Sequence, residues 1–284
     1  MKKDITTLLC FVHDFCKGAE EWLKSRALEG EKTRRPTREV GLSTSEIMTI
    51  VLLYHQSPCK NFKYFYNSYL QQYKREFPNL LSYNRFIELK ARILPYLTLL
   101  LEWYIGQGKR TGVSYIESTP IVVCNPKRIY RDKVFAGLAK IGKSTKGWFF
   151  GFKLHLVMNE RGEIQGVKFT PGNVDDRVPV PELTKHLTGL LFGDKGYIKQ
   201  ELFQHLYNRG LKLVTGIKKG MKNKLIPLME KIFLRKRSII ETVFSVLKGH
   251  FELEHTRHRS IWNALLHLTS TLVAYCLIPN PIIN

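Results

Sequence analysis

The sequence predicts an α/β protein in which a mixed sheet with flanking helices follows an all-helical N-terminal domain. Three observations carry that expectation. The first hundred or so residues place apolar side chains at helical spacing. Past the glycine-rich stretch GQGKRTG, residues 106–112, the texture changes to short runs of β-formers. From there the predicted order is three strands, helix, strand, helix, strand and helix. The stretch 106–112 is the expected linker, which divides the chain into domains 1–108 and 109–284.

In LSTSEIMTIVLLYHQ, Ser43 and Glu46 fit a capping box, and Ile47, Ile50, Val51 and Tyr54 follow on one helical face. An aromatic and basic segment, KNFKYFYNSYLQQYKREF, closes at Pro78. The run YNRFIELKARILPYLTLLLEWYI is again helical, with Pro95 as a kink or break. Short helices separated by Lys and Arg suit a helix-turn-helix-like DNA reader or a bundle with a solvated basic surface. Beyond the linker, VSYIEST is a strand, and GWFFGFKLHLVMN and EIQGVKFTPG flank NERG as a hairpin. Residues 179–187 read as a helix, LLFGD as a short buried strand, and QELFQHLYNRG as a helix ending on Gly210. LKLVTGIK is the last strand, and the remainder is helical. The apolar stretch 262–278 contains Asn263, His267 and several Thr, which suits a buried terminal helix better than a membrane span.

Charge narrows the function. The 284 residues are 44% hydrophobic, as in ordinary globular proteins, but 45 Lys and Arg face only 24 Asp and Glu, a formal net of +21. Such an excess repels itself unless a polyanion is present, and nucleic acid is the usual one. The basic residues are spread along the chain rather than gathered beside one apolar stripe, which argues against a membrane partner. Five scattered cysteines with no CxxC pair point to a reducing, cytoplasmic setting with buried thiols. The opening apolar run is interrupted by Asp4, His13 and Asp14 and is followed by no small-residue cleavage site, so no signal peptide is expected.

Breaking a phosphodiester without an organic cofactor usually takes divalent metal held by acidic side chains at strand ends or on an adjacent helix. Three positions fit: Glu117 at the end of VSYIEST, Asp194 after LLF, and Glu241 in RSIIETVFSVLKGHF. At 100° per residue, Arg237, Glu241 and Lys248 fall within an arc of about 40°. Ile240, Phe244, Leu247 and Phe251 make the adjoining apolar stripe. A carboxylate between two cations suits a metal ligand beside a phosphate, or an ordinary surface ion-pair ladder.

The strings YIESTPIVVC, KGWFFGFKLHLVMNERGEI, FTPGNVDDR, LFGDKGY, RKRSIIETVFSVLK and EHTRHRS occur in this order. Together they resemble the DDE transposases of the insertion-sequence 982 family, and SEIMTIVLLYHQS and FPNLLSYNRF extend the resemblance to nearly the whole chain. It implies an RNase H-like catalytic core in which Glu117, Asp194 and Glu241 hold two Mg²⁺ ions, with Mn²⁺ as a substitute. Double-stranded DNA would be the substrate, as transposon ends and target, worked on by a homodimer close to the nucleoid. Arg237, Lys248 and Lys195 would steady phosphates, and the N-terminal helices would read the terminal inverted repeats. Two departures stand out. Leu234 replaces the tyrosine expected three residues before Arg237, and Glu117 stands where the family has aspartate. The extra methylene moves the carboxylate outward by about 1.5 Å, and a misplacement of about 1 Å can cost ~100-fold in rate. The expectation is therefore an impaired transposase, or alternatively a catalytically inactive DNA-binding protein derived from one.

Between Asn125 and Trp148 the segment carries Lys127, Arg128, Arg131, Lys133, Lys140, Lys143 and Lys146. It reads as a loop that touches DNA phosphates or is merely solvated. Trp148 and Phe149 are expected to fill core, with base stacking as the other possibility. Asp175 and Asp176 read as turn-capping acids rather than support for a metal site. His155 suits a structural hydrogen bond at least as well as substrate contact. His255 and His258 have no cysteine at ligand spacing, so zinc is not expected.

Overall fold

The computed structural model describes residues 4–26, 41–145, 147–217, 220, 226–254 and 258–278. The chain forms two compact units, one of residues 1–103 with 260–277 and one of residues 104–259 with the C-terminal tail.

In the first unit the described elements are helices: α1 (Ile5–Arg26), α2 (Thr44–Gln56), α3 (Phe62–Asn67), α4 (Tyr83–Leu89) and α5 (Leu94–Gln107). The α2 start is the expected capping box. Ser43 Oγ accepts from the Glu46 amide, and the Glu46 carboxylate accepts from the Ser43 amide. Every residue of α2 from Ser45 to Leu53 is buried except Glu46, so this helix is the axis of the unit. Tyr54, Phe62, Phe65, Tyr66 and Phe86 pack ring against ring beside it. Pro95 is the second residue of α5, which starts afresh after a short 3₁₀ turn over Lys90–Ile93. Its helix continues to Gln107, so the connection to the next element is shorter than the stretch 106–112 predicts. The terminal helix, placed by sequence with the second domain, packs instead against α2. His55 Nε2 and Ser270 Oγ lie 2.8 Å apart in that buried interface.

The second unit carries β1 (Val113–Cys124), β2 (Lys140–Ser144), β3 (Gly147–Asn159), β4 (Ile164–Pro171), α6 (Val180–Leu183), β5 (Gly189–Gly193), α7 (Gln200–Tyr207), β6 (Leu211–Thr215), α8 (Leu228–Arg235) and α9 (Ser238–Gly249). The remaining helix of the first unit is α10 (Ile261–Cys276), largely buried as expected. One sheet runs β2-β3-β1-β5-β6, with β4 also on β3. β3 is antiparallel to β1, β2 and β4, and β1, β5 and β6 are mutually parallel. The β3–β4 hairpin turns at Asn159, whose side-chain oxygen accepts from the Arg161 and Glu163 amides while Gly162 takes φ +79°. Ile116, Val157, Val180, Leu191, Leu206 and Leu211 form the core beneath α6 and α7. Each such buried aliphatic side chain contributes roughly 1.5–3 kcal/mol.

Two readings of the sequence change. Residues 179–187 form only one helical turn, α6. The basic segment is not simply a loop: it holds a 3₁₀ helix, Pro126–Arg131, and the strand β2. Gly142 allows that strand, because a β-carbon there would stand 2.2 Å from the Gly172 carbonyl oxygen. The cysteines are free, but only Cys16 is buried and Cys10 is exposed, so the expected burial of the thiols holds in part. No helix among the described residues is long and apolar enough to cross a membrane.

Candidate active site

Glu117 lies midway along β1, opposite Leu156 of β3. On its other edge β1 pairs with β5 only through Val113, Ser114 and Tyr115, the last opposite Phe192. Two residues further along each parallel strand come Glu117 and Asp194. The two acids therefore stand level where the strands part, on the side where Phe192 packs against Phe233 of α8. Asp194 caps the short turn that follows, accepting from the Gly196 amide at 2.7 Å.

Glu241 comes from α9. Ile240, Phe244, Leu247 and Phe251 are all buried, as their helical spacing predicts. That orientation leaves Glu241 57% exposed beside Arg237. The Arg237 guanidinium donates to Glu117 Oε2 at 2.5 Å and to Glu241 Oε1 at 2.7 Å. One cation thus bridges two of the three predicted acids. Lys248 does not face outward. Its ammonium donates to the Pro120 carbonyl at 2.9 Å and to Glu254 at 2.5 Å, which ties α9 to β1. Lys195 is exposed and lies across Gly216 at the end of β6.

Burial pushes the Glu117 carboxyl from its ordinary 4.5 up to about 7. The Ser118 amide and Arg237 oppose the rise, whereas Asp194 and Asp176 add to it. Asp176 pairs with Lys153 at 3.0 Å. Asp175 instead caps its own turn, accepting from the Arg177 amide at 2.9 Å, and the Arg177 guanidinium holds it well below the usual carboxylate range. His155 is fully buried, with Nε2 2.8 Å from Thr170 Oγ1, and burial lowers it to about 4, as befits a structural histidine.

Tyr197 was not singled out from the sequence. Its hydroxyl is buried without a well-formed hydrogen bond, and burial together with Glu117, Asp176 and Asp194 keeps it far from ionisation. Ser118 leans towards it but makes no aligned bond. The signal for it was its position three residues after Asp194, one turn on. Lys153 was missed too; a lysine amid a buried strand, GFKLHLV, was the clue.

Among the described residues no three acidic, histidine or cysteine side chains gather closely enough to hold an ion as they stand. The donor set is nonetheless all carboxylate oxygen, the chemistry of a hard divalent cation. The Arg237 guanidinium already supplies positive charge between Glu117 and Glu241. The set fits a metal in donor type, with Arg237 as the group that must give way.

Lys127, Arg128, Arg131, Lys133, Lys140 and Lys143 are all exposed, and Lys146 lies outside the described residues. Phe149 is buried, as expected, but Trp148 is 66% exposed, so the core expectation fails for it. The β2–β3 register explains the split: Phe149 faces Gly142, where β2 has no side chain, and Trp148 pairs with exposed Lys143 on the opposite face. His255 also lies outside the described residues. A cavity of about 290 Å³ between α7, β6 and α8 is lined by Phe203, Val214 and Pro227 and contains none of the three acids.

No curated protein matches the chain. A chain in the crystal structure of the Mos1 mariner paired end complex with Mn is similar over 85% of this chain and 88% of that one, at 11% identity and a TM-score of 0.26. A likeness that distant carries no argument about chemistry. The transposase DDE domain matches residues 107–261, more than half of the sequence and the whole stretch that carries the sheet, Glu117, Asp194 and Glu241. The chain belongs to the transposase DDE domain family.

Proposed function

We propose that this chain is an insertion-sequence transposase of the 982 family, built on an RNase H-like core, that cleaves DNA at terminal inverted repeats and joins the freed 3′ hydroxyl to target DNA. The observation that carries the reading is the β1/β5 register, which brings Glu117 level with Asp194 while Arg237 ties Glu117 to Glu241. With β2 set aside as an added strand, the antiparallel strands β1, β3 and β4 are followed by β5 and β6 parallel to β1, which also supports the RNase H-like assignment.

Glu117, Asp194 and Glu241 would hold two divalent ions, Mg²⁺ or Mn²⁺. When bound, these supply a polarised attacking oxygen and charge stabilisation at the leaving one. The protein groups do the positioning. Lys248 anchors α9 on the Pro120 carbonyl and so sets where Glu241 stands along β1. Arg237 holds the two glutamates in register, and on release its guanidinium is placed to receive a phosphate. The helical first unit would recognise the repeats, and paired ends call for two copies of the chain on DNA.

A second reading, a DNA-binding protein without turnover, is favoured by Glu117 itself. Its longer arm reaches Arg237 at 2.5 Å, committing the first acid to an internal ion pair. The test is nicking of a duplex that carries the inverted repeats bordering the coding sequence. Expected is nicking that requires Mg²⁺ or Mn²⁺, vanishes in Asp194→Asn, and rises by up to ~100-fold in Glu117→Asp. Binding without nicking in both the native chain and Glu117→Asp would establish the second reading. Absence of binding and nicking alike would overturn both.

A further inference from the structure

We infer that the β2–β3 hairpin is a stacking platform for an unpaired nucleotide, with Trp148 under the base and Lys143 among the groups that hold its phosphate; this rests on the DNA-processing reading above. The indole of Trp148 is 66% exposed at the start of β3, although a tryptophan gains more than almost any residue from burial. Lys143, its partner across the β2–β3 ladder, sets its ammonium 5.5 Å from the ring centroid. Ile141, two residues back on the same face, is half exposed.

The surroundings select an anion. Between Asn125 and Trp148 there are seven Lys and Arg and one acid, Asp132, whose Oδ1 accepts from the Phe135 amide. The six described cations are exposed and enter no ion pair among the described residues. An anion-selecting surface around an exposed indole, touched by one lysine ammonium, fits a ligand that offers negative charge and a flat π-face together, and a nucleotide does so. A fully paired duplex shows its phosphates but keeps its base faces stacked, so it would satisfy the cations and leave Trp148 idle. An unpaired base satisfies both.

The position along the sheet is also specific. Opposed residues share a face, so Glu117 and Leu156 point the same way, and alternation along β3 carries that face through Leu154, Phe152 and Phe150 to Trp148. Eight residues of strand separate Leu156 from Trp148, a contour of ~27 Å. That is about eight nucleotide steps at ~3.4 Å each. The stacked base would therefore belong to a segment well removed from the acids, not to the bond being cut.

The test compares binding of a fully paired duplex with the same duplex bearing a single-stranded tail that contains a fluorescent adenine analogue. The native chain should prefer the tailed duplex and quench the analogue. Trp148→Ala should lose that preference by about 5- to 150-fold and abolish quenching while keeping its affinity for the paired duplex. Trp148→Phe should retain most of both. Unchanged preference and quenching in Trp148→Ala would overturn the inference and leave the transposase reading standing. Equal loss on paired and tailed DNA would overturn it too, because stacking would then not be the contribution lost. Tighter binding to anionic lipid vesicles than to tailed DNA would assign the hairpin to a membrane surface instead. Binding to no DNA at all would remove the parent reading as well.

Discussion

Glu117 meets two opposing influences. Burial beside Asp194 and Asp176 favours its neutral form, while Arg237 and the Ser118 amide favour its charge, and burial is the largest of these. In the unfolded chain the group ionises near 4.5, and in the folded chain only near about 7. Between those values the native state holds a proton that the unfolded state has released, so stability falls as pH rises through the window. The linked change is at most ~3 kcal/mol. Glu117→Gln cannot ionise and loses this dependence. We predict that the unfolding free energy of Glu117→Gln, relative to the native chain, climbs by up to ~3 kcal/mol from about pH 4.5 to about pH 7. Denaturant unfolding at a series of pH values measures it. A flat difference would mean that Arg237 outweighs burial and that Glu117 is charged throughout.

At the scale of elements, β2 depends on a contact between distant parts of the chain. A β-carbon at Gly142 would stand 2.2 Å from the Gly172 oxygen and 2.7 Å from the Phe149 ring. Gly142→Ala should therefore cost about 1–3 kcal/mol through overpacking. Gly18→Ala, in mid-helix with nothing within 4 Å, should stabilise by about 0.5–1 kcal/mol. Urea midpoints separate the two, and equal shifts would show that β2 does not need this close approach. The same contrast explains what could be read from the sequence. The α2 start at Ser43 and the turn at Asn159 were legible because their hydrogen bonds join residues three or four apart. The apolar stripe of α9 was legible because its period matches the helix. β2 was not, since a Lys- and Gly-rich run becomes a strand only when Gly172 lies against it. Asp194 could be singled out as an acid at a strand end and Glu241 as one in the first turn of a helix, whereas Glu117, expected at the end of VSYIEST, stands midway along β1. Their convergence rests on the β1/β5 register and on Arg237, and neither is written in local pattern. Trp148 was misread for the same reason: whether a strand-end aromatic is covered depends on what the opposite strand offers, and β2 offers Lys143.

Over the whole molecule the net charge is +21, and among the described residues six exposed cations lie in the single segment before Trp148. Cations committed to internal partners, such as Arg237 and Lys248, release no counterions on binding DNA unless those partners let go. Free surface cations do. Each phosphate neutralised contributes about −0.9 to the slope of log affinity against log salt concentration. If six or more of these cations reach phosphates, affinity for an unrelated duplex should fall ~1,000-fold or more between about 50 mM and about 200 mM salt. Replacing Lys127, Arg128 and Arg131 together by Gln should flatten the slope by about 2.7, because three counterions would no longer be displaced. Replacing Lys248 should leave the slope unchanged and act on stability instead, since its ammonium is spent on Pro120 and Glu254. Salt titrations of duplex binding by fluorescence anisotropy read both. A slope that ignores the triple replacement would place the DNA on another face and detach the basic segment from substrate binding.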